Sequence, residues 1–219
     1  MILYLIRHGQ SGENDGSTGS HDSHLTETGI EQARRTGRWL AGLDRHGLEE
    51  TPPRTIFTSP ARRTLETARE IAAPCGSAMH VLPGLCEYGN LYDDPGLTGA
   101  EIRTIVPDAT LPDSIRDDRG WASDLQGETK ADLLRRVDET IRFLTRTFPP
   151  GSEAVAFVSH AHFSGFFLGR LFQIPAEVLS QNRMRIYNSG VAKIEFTGSY
   201  KVMHFLNRTS HLGELAIRG

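Results

Sequence analysis

The chain has 219 residues, enough for one domain with a full core, and its 38% hydrophobic and 23% charged residues are ordinary for a globular protein. A net charge of -3 and a pI near 6.3 supply no basic field for nucleic acid, and no run of Lys or Arg points to an anionic membrane. No apolar stretch approaches the ~20 residues of a membrane span, and Met1–Ile6 is far shorter than a secretory hydrophobic region. The two cysteines, Cys75 and Cys86, match neither a metal spacing nor a disulfide framework. They read as incidental small apolar residues in a reduced, cytoplasmic setting.

Ile2–Ile6 is an apolar run that stops at Arg7-His8-Gly9 and reads as a buried strand. A polar loop follows from Gln10 to Ser23. Thr26 then caps a predicted helix with Ile30, Ala33, Gly37, Leu40 and Ala41 on its inner face. Thr55–Thr58 is a second strand, and Ser59-Pro60 is expected to open the next helix, with Ser59 as N-cap. Met79–Leu82 makes a third strand. From Pro83 to Gln126 the pattern breaks down, with a short helix near Gly99–Val106. This stretch holds too few apolar residues for a core of its own and reads as an insertion or lid. Thr129–Phe148 is the clearest helix, ended by Pro149-Pro150-Gly151. Ala154–Val158 is a fourth strand, followed by a helix around His162–Phe172. Val191–Phe196 and Lys201–Leu206 end the chain as two strands, a pair that can include one antiparallel edge strand. The expected fold is α/β: one domain over 1–219, a mainly parallel central sheet with helices on both faces, and residues 83–126 inserted after the third strand.

Chemistry gathers just past the strands. His8 follows the first, Ser59 and Arg63 the second, Glu87 the third and His160 the fourth. In an open parallel sheet such positions meet at one edge, where ligands bind. Two guanidiniums, Arg7 and Arg63, can fork onto phosphate oxygens without a metal. An imidazole is a competent nucleophile when an acceptor holds its second nitrogen. A second imidazole can stabilise the transferring group, and a carboxylic acid can protonate the departing alkoxide.

These residues also carry a resemblance. Arg7-His8-Gly9-Gln10-Ser11 with Asn14 resembles the signature of the histidine phosphatase superfamily, with its phosphoglycerate mutase-like fold. Leu25-Thr26-x-x-Gly29-x-x-Gln32-Ala33, Ser59-Pro60-x-x-Arg63-x-x-x-Thr67-Ala68 and Leu85-x-Glu87 resemble further motifs, in order. So do Gly127-Glu128-Thr129 with Arg136, Val158-Ser159-His160, Asn188 and His211-Leu212. The resemblance covers essentially the whole chain. It implies a phosphohistidine at His8, a phosphate pocket of Arg7, Arg63 and His160, and Glu87 as acid/base. Gln10, Ser11, Asn14 and His162 are the candidate substrate contacts, with Gln10 and Asn14 at the entrance. No cofactor and no metal is expected, and the implied partner is a small phosphorylated metabolite or a phosphoprotein.

Three departures leave alternatives open. The text after the acid reads Glu87-Tyr88-Gly89-Asn90-Leu91, so Asp93 or Asp94 is a second candidate proton donor. Mutases of the family commonly carry Glu-Arg-His-Tyr-Gly there, which favours the phosphatase branch. His160-x-His162 can be read as a zinc pair, but the following Phe163-Ser164 does not continue one, and a packed or pocket-rim histidine is the better reading. Arg7 and Arg63 are expected to favour an ionised Glu87, so the acid role needs a substrate dianion to offset them. Arg103, Arg116 and Arg119 are candidates for reaching a second anionic group on the substrate.

Overall fold

Alternation along β1 (Ile2–Arg7) sets the layers: Leu3 and Leu5 enter one apolar cluster, Tyr4 and Ile6 another on the opposite face. The computed structural model describes the chain apart from residues 13–15, 17–21, 43–50, 90–93, 126, 182–183 and 217–219. Beside β1 stand β2 (Thr55–Thr58), β3 (Ala78–Val81), β4 (Val155–Ser159), β5 (Val191–Phe196) and β6 (Lys201–Arg208), in the sheet order β3-β2-β4-β1-β5-β6. β1 to β4 pair in parallel. The reversed strand is β5, which is antiparallel to both β1 and β6. It lies inside the sheet and not at its edge, because β1 offers it one side and the turn after Phe196 returns β6 along the other.

Six helices accompany these strands among the described residues: α1 (Glu27–Leu40), α2 (Arg62–Cys75), α3 (Gly99–Ile105), α4 (Lys130–Thr147), α5 (Ala161–Leu171) and α6 (Ala176–Gln181). Trp39, Leu40, Ala68 and Ile71 bring α1 and α2 onto the Tyr4 face. Leu133, Val137, Phe163 and Phe167 bring α4 and α5 onto the Leu3 face. This is the α/β arrangement the sequence predicts.

The helix starts are partly as read. Thr26 accepts from the Gly29 N–H at 3.0 Å, and Thr129 forms a reciprocal capping box with Asp132. The start of α2 differs. It begins at Arg62 with Ala61 as N-cap, and the Arg62 N–H is satisfied by Asp22, whose Oδ1 lies 2.7 Å away. Ser59 is not the cap, because its side chain is engaged elsewhere. On α1 the fully buried residues include Gln32 and Thr36, while Ile30 is only half-buried. Polar burial succeeds there because Gln32 bonds the Gln10 N–H and the Leu215 carbonyl, and Thr36 bonds the Gln32 carbonyl.

The described residues of 83–126 pack more extensively than their composition suggests. Leu97, Ile102, Ile105, Ile115 and Trp121 form a cluster with Leu65 of α2 and Val81 of β3. The segment needs few apolar residues of its own because it shares a core with the sheet edge. Among the described residues no helix is long and apolar enough to cross a membrane.

Candidate active site

The strand order places the key side chains. β4 lies between β1 and β2, so His160, His8 and Ser59 leave three neighbouring strands at their carboxyl ends. The His8 and His160 rings are 5.3 Å apart and inclined at 60°. Arg7, His8, Arg63 and His160 are each at most 5% exposed, so both imidazoles and both guanidiniums share one desolvated corner.

The loop carrying His8 is pinned on several sides. The Gly9 N–H donates to Thr67 Oγ1 at 3.1 Å, Asn188 Nδ2 donates to the His8 carbonyl at 3.2 Å, and the Ser189 N–H donates to the Arg7 carbonyl. Gly9 and Gly29 meet backbone to backbone. A β-carbon on Gly9 would lie 2.5 Å from the Gly29 carbonyl oxygen, and one on Gly29 would lie 2.0 Å from the Gln10 carbonyl oxygen. That contact gives the glycines of Arg-His-Gly and Thr-x-x-Gly one shared steric cause.

His8 Nδ1 lies 2.7 Å from its neighbour's carbonyl, Gly9 O, so Nδ1 carries the proton and Nε2 keeps its lone pair. Arg63 Nε donates to Nε2 at 3.2 Å. Burial, then the charges of Arg63 and Arg7, hold the His8 pKa well below its ordinary value, with the Gly9 carbonyl opposing them. His160 is lowered too, by burial and by Arg63, His8 and Arg7. Its Nε2 pairs with Ser59 Oγ at 2.8 Å, while Nδ1 is buried without a hydrogen-bond partner. Arg7 Nη1 donates to the Ile186 carbonyl at 3.3 Å. The result is a neutral imidazole flanked by fixed positive charge.

Glu87 sits at the N-terminus of α5. Its Oε1 accepts from the Phe163 N–H at 2.9 Å and Oε2 from the His162 N–H at 3.0 Å. Glu87 thereby caps the helix whose N-cap residue, His160, has no capping side chain. Burial by itself raises its pKa. The ring of His162 and the backbone N–H groups of His162 and Phe163 outweigh burial and bring it down to about 2. Ionisation is favoured as expected, and the strongest influences towards it are His162 and the N–H groups at the start of the helix.

A buried ion pair fixes the loop that carries this carboxylate. Arg136 Nη2 lies 2.8 Å from Glu128 Oε2, and the same guanidinium donates to the carbonyls of Gly84, Cys86 and Glu87. Glu128 in turn accepts from the Gly89 N–H at 2.6 Å.

The remaining predicted contacts divide. His162 stands beside Glu87, Nδ1 to Oε2 3.4 Å, while His160 faces Ser59. No group of three or more His, Cys, Asp or Glu able to hold a metal occurs among the described residues. Gln10 Oε1 accepts from Thr26 Oγ1 at 2.8 Å, which ties the side chain to the start of α1. Ser11 is fully buried and bridged to Leu25. Asn14 and Asp93 lie outside the described residues, and Asp94 accepts from the Gly96 N–H. Arg103 and Arg116 pair with Asp117 and Asp118 and line a cleft of about 420 Å³ within residues 83–126. Sequence reasoning missed Asp22, for which only its place in the polar loop was a signal. It also missed Ser59 as the partner of His160, although Ser59's position just past β2 could have suggested it.

The chain is similar to known proteins over most of its length. The family model "Histidine phosphatase superfamily (branch 1)" matches residues 3–209. An acid phosphatase of Mycobacterium tuberculosis is 29% identical over 196 residues, covering 88% of this chain and 86% of the relative. A probable phosphoglycerate mutase, GpmB, of Yersinia pestis is 29% identical over 205 residues, covering 91% and 86%. The solved mycobacterial glucosyl-3-phosphoglycerate phosphatase in complex with VO3 superposes with a TM-score of 0.66 over 95% of this chain and 99% of that one. At 19% identity this last likeness establishes the phosphoglycerate mutase-like fold alone.

Proposed function

This chain belongs to the histidine phosphatase superfamily, and from that premise we propose that it hydrolyses phosphomonoesters through a phosphohistidine at His8. The carrying observation is the state of His8: Nδ1 spends its proton on the Gly9 carbonyl, which leaves the Nε2 lone pair beside Arg63 in a buried cationic corner. Nε2 attacks phosphorus as the P–O bond to the alcohol breaks, and Glu87 as the acid protonates the leaving oxygen. Water then attacks the P–N bond, gives its proton to Glu87, and phosphate leaves.

Arg7 and Arg63 supply the positive charge for the non-bridging oxygens, so the reaction is read as needing no metal. A bound phosphate oxygen would satisfy His160 Nδ1, and the dianion would raise the pKa of that ring and make it a donor. The substrate class is a small phosphorylated metabolite. The family's phosphatase and mutase relatives both act on phosphate esters by name, and Glu87-Tyr88-Gly89 favours the phosphatase branch.

Labelled phosphate trapped on the wild-type enzyme, stable to alkali and labile to acid, is the expected result, with none on His8→Ala. Rapid interconversion of 2- and 3-phosphoglycerate would favour the mutase reading instead. Activity that survives chelator but is abolished by vanadate supports the metal-independent reading.

A further inference from the structure

The Glu87 carboxylate is held as an anion is held, and that leaves the source of its catalytic proton open. Its two oxygens accept from the backbone N–H groups of Tyr88, His162 and Phe163, and each of these bonds favours the ionised form. The ring of His162 reaches the same Oε2, with its side chain 40% exposed against 9% for Glu87. One carboxylate oxygen of a buried side chain thus meets an imidazole open to solvent.

We propose that His162 is the proton relay of Glu87, an inference that rests on the phosphohistidine reading above. When the substrate dianion enters, imidazolium Nδ1–H passes its proton to Oε2, and Glu87 hands it to the alkoxide as the P–O bond breaks. His162 is then neutral and Glu87 again ionised. In the second half-reaction Glu87 takes the proton of the attacking water and returns it to His162, so the enzyme ends as it began. The 3.4 Å separation needs only a few tenths of an ångström of closure, as catalytic contacts in free enzymes commonly do.

Several charged and titratable groups lie on the elements around the pair. His160 is the N-cap residue of α5. α4 contributes Arg136, whose guanidinium lies 5.5 Å from the Phe163 ring, and Lys130, 5.7 Å over Phe166. Cys86 and Tyr88 flank Glu87 on its loop, Glu128 accepts from the Gly89 N–H there, and Arg7, His8 and Arg63 belong to the desolvated corner at the strand ends. Arg136 is committed to Glu128 and to backbone carbonyls, whereas the ring of His162 touches the carboxylate itself.

The test compares phenyl phosphate with p-nitrophenyl phosphate, whose leaving group departs without a proton, for wild type, His162→Gln and Glu87→Gln. His162→Gln is expected to lose roughly 10²-fold in kcat/KM on phenyl phosphate and under about tenfold on the nitrophenyl ester. It is also expected to lose the alkaline limb of the wild-type pH profile. Equal losses on both esters, or an unchanged alkaline limb, overturn the relay. If Glu87→Gln discriminates between the esters and His162→Gln does not, only the relay fails. If neither discriminates, the acid role of Glu87 fails with it. His162→Asn is run in parallel, and thermal melts with phosphoenzyme trapping on all variants separate either outcome from loss of the fold or of the His8 nucleophile.

Discussion

His8 and His160 leave adjacent strands, and the register of β1 on β4 fixes their spacing before any side chain is chosen. Glu87 stands beyond the edge strand β3, on a loop that no ladder supports, and its place is set by Arg136, Glu128 and the first turn of α5. The electrostatics differ in the same way. Burial and two guanidiniums keep the histidines neutral, while a helix terminus and His162 keep the carboxyl ionised. The histidine pair is thus placed by topology, whereas a carboxylate carried on a loop requires a dedicated clamp.

The largest expected effect breaks the histidine half: His8→Ala should lower p-nitrophenyl phosphate turnover by roughly 10⁴-fold or more with little change in melting temperature. The clamp should respond in the opposite manner. Arg136→Met leaves Glu128 buried without its cation and should cost roughly 3 to 5 kcal/mol in urea unfolding. The double replacement Arg136→Met with Glu128→Met should recover most of that loss, whereas an equally unstable double mutant would contradict the clamp.

Acid titration sharpens the contrast further. Glu87 has a folded pKa of about 2, below its ordinary 4.5, so its contribution is complete above pH 4.5 and is lost as pH falls towards 2. The histidines, also lowered, contribute fully above pH 6.5 and lose that contribution as pH falls below it. Stability of the wild type should therefore decline in two stages. Glu87→Gln should flatten the lower stage only, by on the order of 3 kcal/mol. The smallest effect is Asp22→Ala, which removes the acceptor at the start of α2 and should cost about 1 kcal/mol in thermal unfolding.

The histidine half was legible in the sequence because strand ends and periodicity suffice to place it. Apolar runs stop at Arg7-His8 and before His160, and a parallel sheet brings such stops together. The surroundings of Glu87 were less so. That its carboxylate caps α5 depends on the folding of residues 83–89, which no local pattern encodes. Residues 83–126 were underread for a related reason, since their core is completed by Leu65 and Val81 from elsewhere in the chain. The Asp22 cap of α2 is likewise a contact across 40 residues, invisible to a rule that searches for caps among neighbours.

The approach of Gly9 to Gly29 has a mechanical consequence. With no room for even a methyl group between them, the His8 loop and α1 behave as one machined part, seated without play. Adaptation to new substrates has no slack to exploit on that side. A library built to change what this enzyme accepts should leave Gly9 and Gly29 untouched and vary the side chains that line the cleft at Arg103, Leu111, Ile115 and Arg116.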